Sequence, residues 1–321
     1  MKIIITGGAG FLGQRLAKML LQNNSPLTVS QLVLADIHLP QAPGSDPRVR
    51  CIALDLTDPQ AASQLIDSSS DVLFHLAAIV SSHAESDFDL GMQVNFDATR
   101  HLLEAARQHA PALRFIFSSS LAVFGGDLPA VVDDNCVVAP QSSYGAQKAM
   151  CELLVNDYAR KGFVDGRVLR LPTISVRPGK PNQAASSFAS GIIREPLQGE
   201  TAICPVSPEL ALWLSSPGTV VRNLIHAATL PLDAFGSSRA LNLPGISVKV
   251  QHMLDALGEV AGEQVSARVH FAEDERINRI VAGWPGNFDT QPALALGFYV
   301  DDTFQQVIRA FIRDDMSQGG G

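Results

Sequence analysis

The chain has few cysteines, a deficit of basic charge and no long apolar run, and each shortage argues against a class of function. Cys51, Cys136, Cys151 and Cys204 are scattered, with no C-x-x-C pair and no histidine set beside them. That pattern speaks against a structural zinc site, so no metal is expected, and it leads us to expect free thiols in a reducing cytoplasm. Lys and Arg number 24 against 32 Asp and Glu, a formal net charge of −8. A nucleic acid or an anionic membrane would want a basic face, so neither is expected as a partner. No apolar run approaches the ~18 residues needed to span a bilayer. Met1 and Lys2 lead at once into an expected strand, leaving no room for a secretory signal.

What is present describes a compact globule. Of 321 residues, 46% are hydrophobic and 17% charged, which suits one large or two modest domains. Residues 2–5 form an apolar strand without alternation, as expected for a parallel strand buried on both faces. Leu16, Met19 and Leu20 then repeat at helical spacing. Further strands are expected at residues 31–35, 50–53, 72–76, 113–117 and 167–171, with helices at 94–109 and 144–160. Leu102, Leu103 and Ala106 share one face of the first of these helices, and Gly162 caps the second. Strands alternating with helices at this spacing predict an α/β fold with a doubly wound parallel sheet.

After Pro172 the pattern changes. Residues 176–190 read as a long loop leading into a short helix at 188–195, and helices follow at 219–229, 248–262 and 304–314. Residues 240–243 look like one more sheet strand, and residues 318–321 like a frayed tail. We therefore expect a Rossmann domain over residues 1–171, with 218–246 returning to it. A smaller substrate-binding lid would comprise 172–217 and 247–321.

Gly7, Gly10 and Gly13 directly follow a strand and open a helix, the context a dinucleotide fingerprint requires. Side chains there would keep a pyrophosphate from the N–H groups at the helix N-terminus, and Phe11 and Leu12 lie in the same turn. Asp36 stands 23 residues past Gly13, at the end of the second strand. Its carboxylate would accept hydrogen bonds from a ribose 2′-OH and repel a 2′-phosphate, so NAD is expected rather than NADP. Asp55 and Leu56 would border the adenine, and Leu76, Ala77 and Ala78 the pyrophosphate and ribose.

Tyr144 and Lys148 lie at i and i+4, one turn apart on a helical face. A free tyrosine, with a pKa near ~10, is a poor base at neutral pH, and an adjacent lysine cation would favour the phenolate. Ser120 precedes Tyr144 by 24 positions, at the carboxyl end of the expected sheet. Tyr144 would take a proton from a substrate hydroxyl and Lys148 would hold the nicotinamide ribose. Ser120 would orient the hydroxyl and stabilise the developing oxyanion.

These motifs resemble the extended short-chain dehydrogenase/reductase family. The resemblance runs through Gly7 to Gly13, Asp55 and Leu56, His75 to Ala78, Asn95, Ser118 to Ser120 with Val123 to Gly125, and Tyr144 with Lys148. It covers essentially the whole chain and implies catalytic roles for Ser120, Tyr144 and Lys148. It also implies that Asn95, Ser118, Pro172 and Thr173 belong to the cofactor site, and that the chain forms a homodimer through the helices at 94–109 and 144–160. Phe124 departs from the tyrosine usual in sugar-nucleotide members. Leu121 and Ala122 stand where dehydratases carry Asp-Glu, so dehydration is not expected.

Within that family, residues 170–182 and 186–194 resemble the D-erythronate dehydrogenases, NAD enzymes that oxidise C2 of a four-carbon sugar acid. The other readings are a nucleotide-sugar 4-epimerase with tightly bound NAD and an NAD sensor without turnover. Arg177, Lys180 and Arg194 could bind a substrate carboxylate, hold a nucleotide pyrophosphate or remain solvated loop charges. Arg177 is the chosen carboxylate partner. Ser81 could meet substrate hydroxyls or cap the next segment, and Ser120, Tyr144 and Thr173 complete the expected substrate contacts.

Overall fold

The computed structural model describes residues 1–181 and 184–316. Asn182 and the expected tail at 318–321 lie outside the described residues. The first strand, β1 (Lys2–Thr6), buries Ile3, Ile4 and Ile5 completely. It is followed by β2 (Gln31–Asp36), β3 (Val49–Ala53), β4 (Ser70–His75), β5 (Arg114–Ser120) and β6 (Asp165–Leu171). Shorter strands come next: β7 (Thr173–Ile174), β8 (Ala202–Cys204), β9 (Ala211–Ser215), β10 (Ala240–Asn242), β11 (Ile246–Lys249) and β12 (Val269–Phe271). Seven of them form one parallel sheet in the order β10-β6-β5-β4-β1-β2-β3. The direction of winding switches between β1 and β4. Ligands of open α/β sheets bind beyond the carboxyl ends of the strands at such a point.

Helices cover both faces of this sheet. In chain order they are α1 (Phe11–Leu20), α2 (Pro59–Leu65), α3 (Ser81–Ser86), α4 (Phe88–Gly91), α5 (Ala98–His109), α6 (Ser143–Arg160), α7 (Phe188–Leu197), α8 (Pro217–Thr229) and α9 (Val250–Ala261). Four more follow: α10 (Glu263–Ser266), α11 (Glu275–Val281), α12 (Gln291–Ala295) and α13 (Phe304–Phe311). Because side chains alternate along β1, Ile3 and Ile5 pack against Leu16 and Leu20 of α1 and Val221 and Leu224 of α8. Ile4 faces the other way, into a core with Leu102 and Leu103 of α5 and Val155 of α6. Each fully buried side chain of this size contributes about 1.5–3 kcal/mol.

A separate core serves the smaller lobe. Ile192 and Ile193 of α7, Met253 and Leu257 of α9, and Phe304, Val307, Ile308 and Phe311 of α13 meet over β9 and β11. The α13 residues repeat at i, i+3, i+4 and i+7, one apolar stripe. The backbone passes repeatedly between the two cores. α8 and β10 return to the large sheet, Ala293 and Phe298 also pack in the α1/α8 core, and Asp315 pairs with Arg15 of α1 at 2.5 Å.

Three local differences from expectation have physical reasons. The helix expected at 94–109 begins as a π-helical turn, Met92–Asp97, before α5. The extra residue per turn rotates side chains off the α-helical register. The helix expected at 248–262 begins two residues later, because Val248 and Lys249 pair with β9 as part of β11. β8 and β12, three residues each, are too short to show a period in the sequence.

Candidate active site

The turn between β1 and α1 is shaped by close approach. Gly7 has φ +73°, and a Cβ there would lie 2.8 Å from the Ala77 nitrogen. A Cβ on Gly13 would lie 2.3 Å from the Gly7 carbonyl oxygen, so the first turn of α1 sits directly on the loop. Gly10 is the N-cap of α1. No side chain caps this helix, and its first turn holds no acid. The free N–H groups and the positive end of the helix dipole therefore remain available to an anion. A dinucleotide pyrophosphate fits this cradle.

Asp36 ends β2, and its Oδ2 accepts a hydrogen bond from the Ala9 nitrogen at 3.0 Å. The carboxylate is thereby aimed along the rim of the loop. From here a cavity of about 690 Å³ runs across the carboxyl ends of the sheet. Asp55 and Leu56 lie at its Asp36 end, and Phe11, Leu12 and the three glycines form one wall. Leu76, Ala77 and Ala78 continue the wall beside Gly7, and small residues leave room there. Beyond them the wall continues through Ser118, Ser120, Tyr144 and Lys148 to Pro172, Thr173 and Arg177.

Tyr144 and Lys148 rise from the first turns of α6, which Ser142 caps through its hydroxyl and the Gly145 nitrogen. Gly145 permits the close packing: a Cβ there would stand 2.1 Å from the Ala122 carbonyl oxygen. The Ser120 side chain neighbours the Tyr144 phenol, and its hydroxyl accepts from the Ala122 nitrogen at 3.1 Å. Lys148 Nζ donates to the Ser118 carbonyl oxygen at 2.8 Å and lies 4.6 Å from the centroid of the Phe117 ring.

The electrostatics differ from the sequence expectation. Burial pushes the Tyr144 phenol up to about 12 and the Lys148 ammonium down to about 8. The groups that pull Tyr144 the other way are the Ser120 side chain and the charge of Arg177. Lys148 Nζ is committed to the strand carbonyl, 5.8 Å from the tyrosine ring centroid. Desolvation, which spacing does not encode, outweighs the neighbouring charge.

Arg177 lies between the two halves of the cavity. Its guanidinium stands 4.7 Å from the centroid of the Phe11 ring on the glycine loop, and it forms no ion pair among the described residues. Arg194, which pairs with Glu195, donates through Nη1 to the Arg177 carbonyl oxygen at 2.8 Å. Arg194 thus supports the segment from behind rather than lining the cavity.

Two candidates do other work. Asn95 is not on the cavity wall. It sits behind it, accepting from the Ile79 nitrogen at 2.9 Å and donating to Gln147 Oε1 at 2.8 Å, which fixes the segment after β4. Ser81 borders the cavity but is 5% exposed, and its Oγ accepts from the Ala185 nitrogen at 3.0 Å. His83, Ser186 and Trp284 also line the cavity and carried no sequence signal beyond their residue type. Trp284, one of two tryptophans, falls in a Pro/Gly stretch without a period. Among the described residues, no cluster of three or more His, Cys, Asp or Glu could hold a metal, and no helix is long and apolar enough to cross a membrane.

Residues 3–229 match the family described as the NAD dependent epimerase/dehydratase family. The chain is 59% identical over 316 residues to the D-erythronate dehydrogenase of Haemophilus influenzae, covering 98% of this chain and 100% of that one. It is 53% identical over 320 residues to the D-erythronate dehydrogenase of Cupriavidus necator, covering 98% of each. The crystal structure of a nucleoside-diphosphate-sugar epimerase from Agrobacterium tumefaciens superposes with a TM-score of 0.93 at 42% identity, covering 99% of this chain and 95% of that one.

Proposed function

Because the chain belongs to the NAD dependent epimerase/dehydratase family, we propose that it is an NAD-dependent dehydrogenase that oxidises the C2 hydroxyl of D-erythronate to the 2-keto acid. Arg177 is the observation that carries the substrate reading. It is a cation lining the cavity, without a carboxylate partner among the described residues, and it faces the same tyrosine that would handle the proton. A 2-hydroxy acid carries its carboxylate on the same carbon as the reacting hydroxyl, so both groups can be engaged at once. Guanidinium binds such a carboxylate through two parallel hydrogen bonds.

The roles follow from the geometry. NAD, when bound, supplies the acceptor for the hydride leaving C2. Gly7, Gly10, Gly13 and α1's N-terminus would hold its pyrophosphate, and Asp36 the adenosine ribose. Ser120 Oγ would orient the C2 hydroxyl, and the Tyr144 phenolate would take its proton. Lys148 would contribute its positive charge beside the phenolate, and Thr173 a hydroxyl to the substrate. We read the chain as a cofactor unit of residues 1–171 with 218–246, and a substrate unit of 172–217 with 247–321. Its four free cysteines suit the cytoplasm, and Met150 and Leu153, exposed on α6, suit a homodimer formed through α5 and α6.

Net NADH formation from NAD and D-erythronate by the purified chain tests the reading. The resemblance to the Agrobacterium epimerase supplies the competing outcome. Conversion of UDP-sugars with no accumulation of NADH would replace the dehydrogenase with an epimerase.

A further inference from the structure

α6 aligns Tyr144, Lys148 and Glu152 at i, i+4 and i+8, along one face. Opposite them run three successive serines at the end of β5. Tyr144 neighbours Ser120, Lys148 Nζ donates to the Ser118 carbonyl oxygen at 2.8 Å, and Ser119 Oγ donates to Glu152 Oε1 at 2.5 Å. The proton transfer above uses the first two contacts and makes no use of the third.

Glu152 is 6% exposed and is held by Arg170 of β6, also 6% exposed. Arg170 Nη2 donates to Glu152 Oε2 at 2.8 Å, and Nε lies 3.0 Å from Oε1 and 3.1 Å from Oε2. The guanidinium also lies 4.8 Å from the Phe124 ring centroid, and its Nη1 reaches Asn242 Oδ1 of β10 at 3.4 Å. One carboxylate therefore joins α6 to β5 and β6, and through Arg170 to β10. Buried ion pairs are poor stabilisers compared with apolar residues of the same size, because desolvation offsets the attraction. A positional role gives this one a reason to exist.

We propose that Glu152, seated on Arg170, is a positioning residue of the dehydrogenase site: by holding the Ser119 hydroxyl it sets Ser118 and Ser120 against Lys148 and Tyr144. The inference rests on the Tyr144/Lys148 reading of the preceding section. Charge supports it. The titratable groups around Lys148 are His75 of β4 and Tyr144, Cys151 and Glu152 of its own helix. Burial pushes His75 down to about 3, keeping it neutral at pH 7, and pushes the Cys151 thiol up to about 11. Cys151 and then Glu152, which shares its carboxylate with Arg170, oppose the burial that lowers Lys148 to about 8.

Glu152→Gln in the full chain keeps the shape and removes the charge. We expect kcat for D-erythronate to fall ~10–100-fold, as for a catalytic group misplaced by a fraction of an ångström, while KM for NAD changes less than about twofold. The alkaline limb of the pH–rate profile should move to lower pH, since Lys148 loses its proton sooner. An NMR titration of ¹³C-labelled lysines, with Lys148 assigned through Lys148→Arg, should show the same shift without any turnover. Native kcat with an unshifted Lys148 overturns the proposal. A loss of rate that only tracks loss of folded protein in a thermal melt, with Lys148 unshifted, overturns it equally. If Glu152→Gln does not fold, Ser119→Ala decides: a kcat loss of about threefold or more supports the clamp, and native kcat refutes it. If the unsubstituted chain fails to oxidise D-erythronate, the function reading falls, while the Lys148 titration still tests Glu152.

Discussion

The two sides of the cavity are made differently. Its floor is backbone and small side chains: the glycine loop, Ala77 and Ala78, and the ends of β4 and β5. Its roof is assembled from side chains that the sequence keeps far apart, including His83, Arg177, Ser186 and Trp284. The hydrogen bond from Ala185 N to Ser81 Oγ, which ties two of these segments together, spans 104 positions. A floor of this kind is common to every reaction its fold can host. The roof has to be specific to one substrate, and it is where this chain can differ from an epimerase of the same shape.

Substitutions that separate the two sides test this contrast. The largest effect belongs to the helix that stands over the floor. Tyr144→Phe should lower kcat by ~10²–10⁴-fold while NAD affinity, read by fluorescence titration, stays native. Normal turnover would remove Tyr144 from the proton transfer. The roof should respond next. Arg177→Met deletes a charged partner worth about 1.5–3 kcal/mol, so kcat/KM for D-erythronate should fall ~10–150-fold with NAD binding retained. An equal loss of NAD affinity would move Arg177 to the cofactor and blur the division.

The smallest effect concerns stability under the floor. His75 lies buried between Thr6 Oγ1 at 2.7 Å and Thr99 Oγ1 at 2.9 Å, and burial holds it near 3 instead of 6.5. Between those values the unfolded chain binds the extra proton, so stability rises with pH through the window and is lost as pH falls. The slope should approach about 1.4 kcal/mol per pH unit. Urea melts about one pH unit below the ordinary imidazole value, where most unfolded-state imidazole is protonated, would read it. A flat response there would mean that His75 accepts a proton in the folded protein.

The same contrast governs what could be read in advance. Gly7, Gly10, Gly13 and Asp36 were legible because a strand, a turn and a helix in sequence leave a local signature. Tyr144 and Lys148 were legible because one helical turn fixes their spacing. Trp284 and His83 were not, since only tertiary packing brings them to the cavity. Asn95 was placed in the cofactor site, yet its amide braces Ile79 from behind the wall, on a π turn that no apolar period announces. The expected lowering of Tyr144 by Lys148 failed for a related reason: spacing gives proximity but not burial.

The repeated passage of the backbone between sheet and lobe limits how such an enzyme can change. No single cut frees the lobe, because removing everything after β6 would also strip α8 and β10 from the sheet. A protease nick at the exposed Gly179 or Lys180 would leave two fragments interlocked rather than two separate units. Wholesale exchange of a ready-made substrate module is closed to this architecture. New specificity has to arrive one side chain at a time, on the roof.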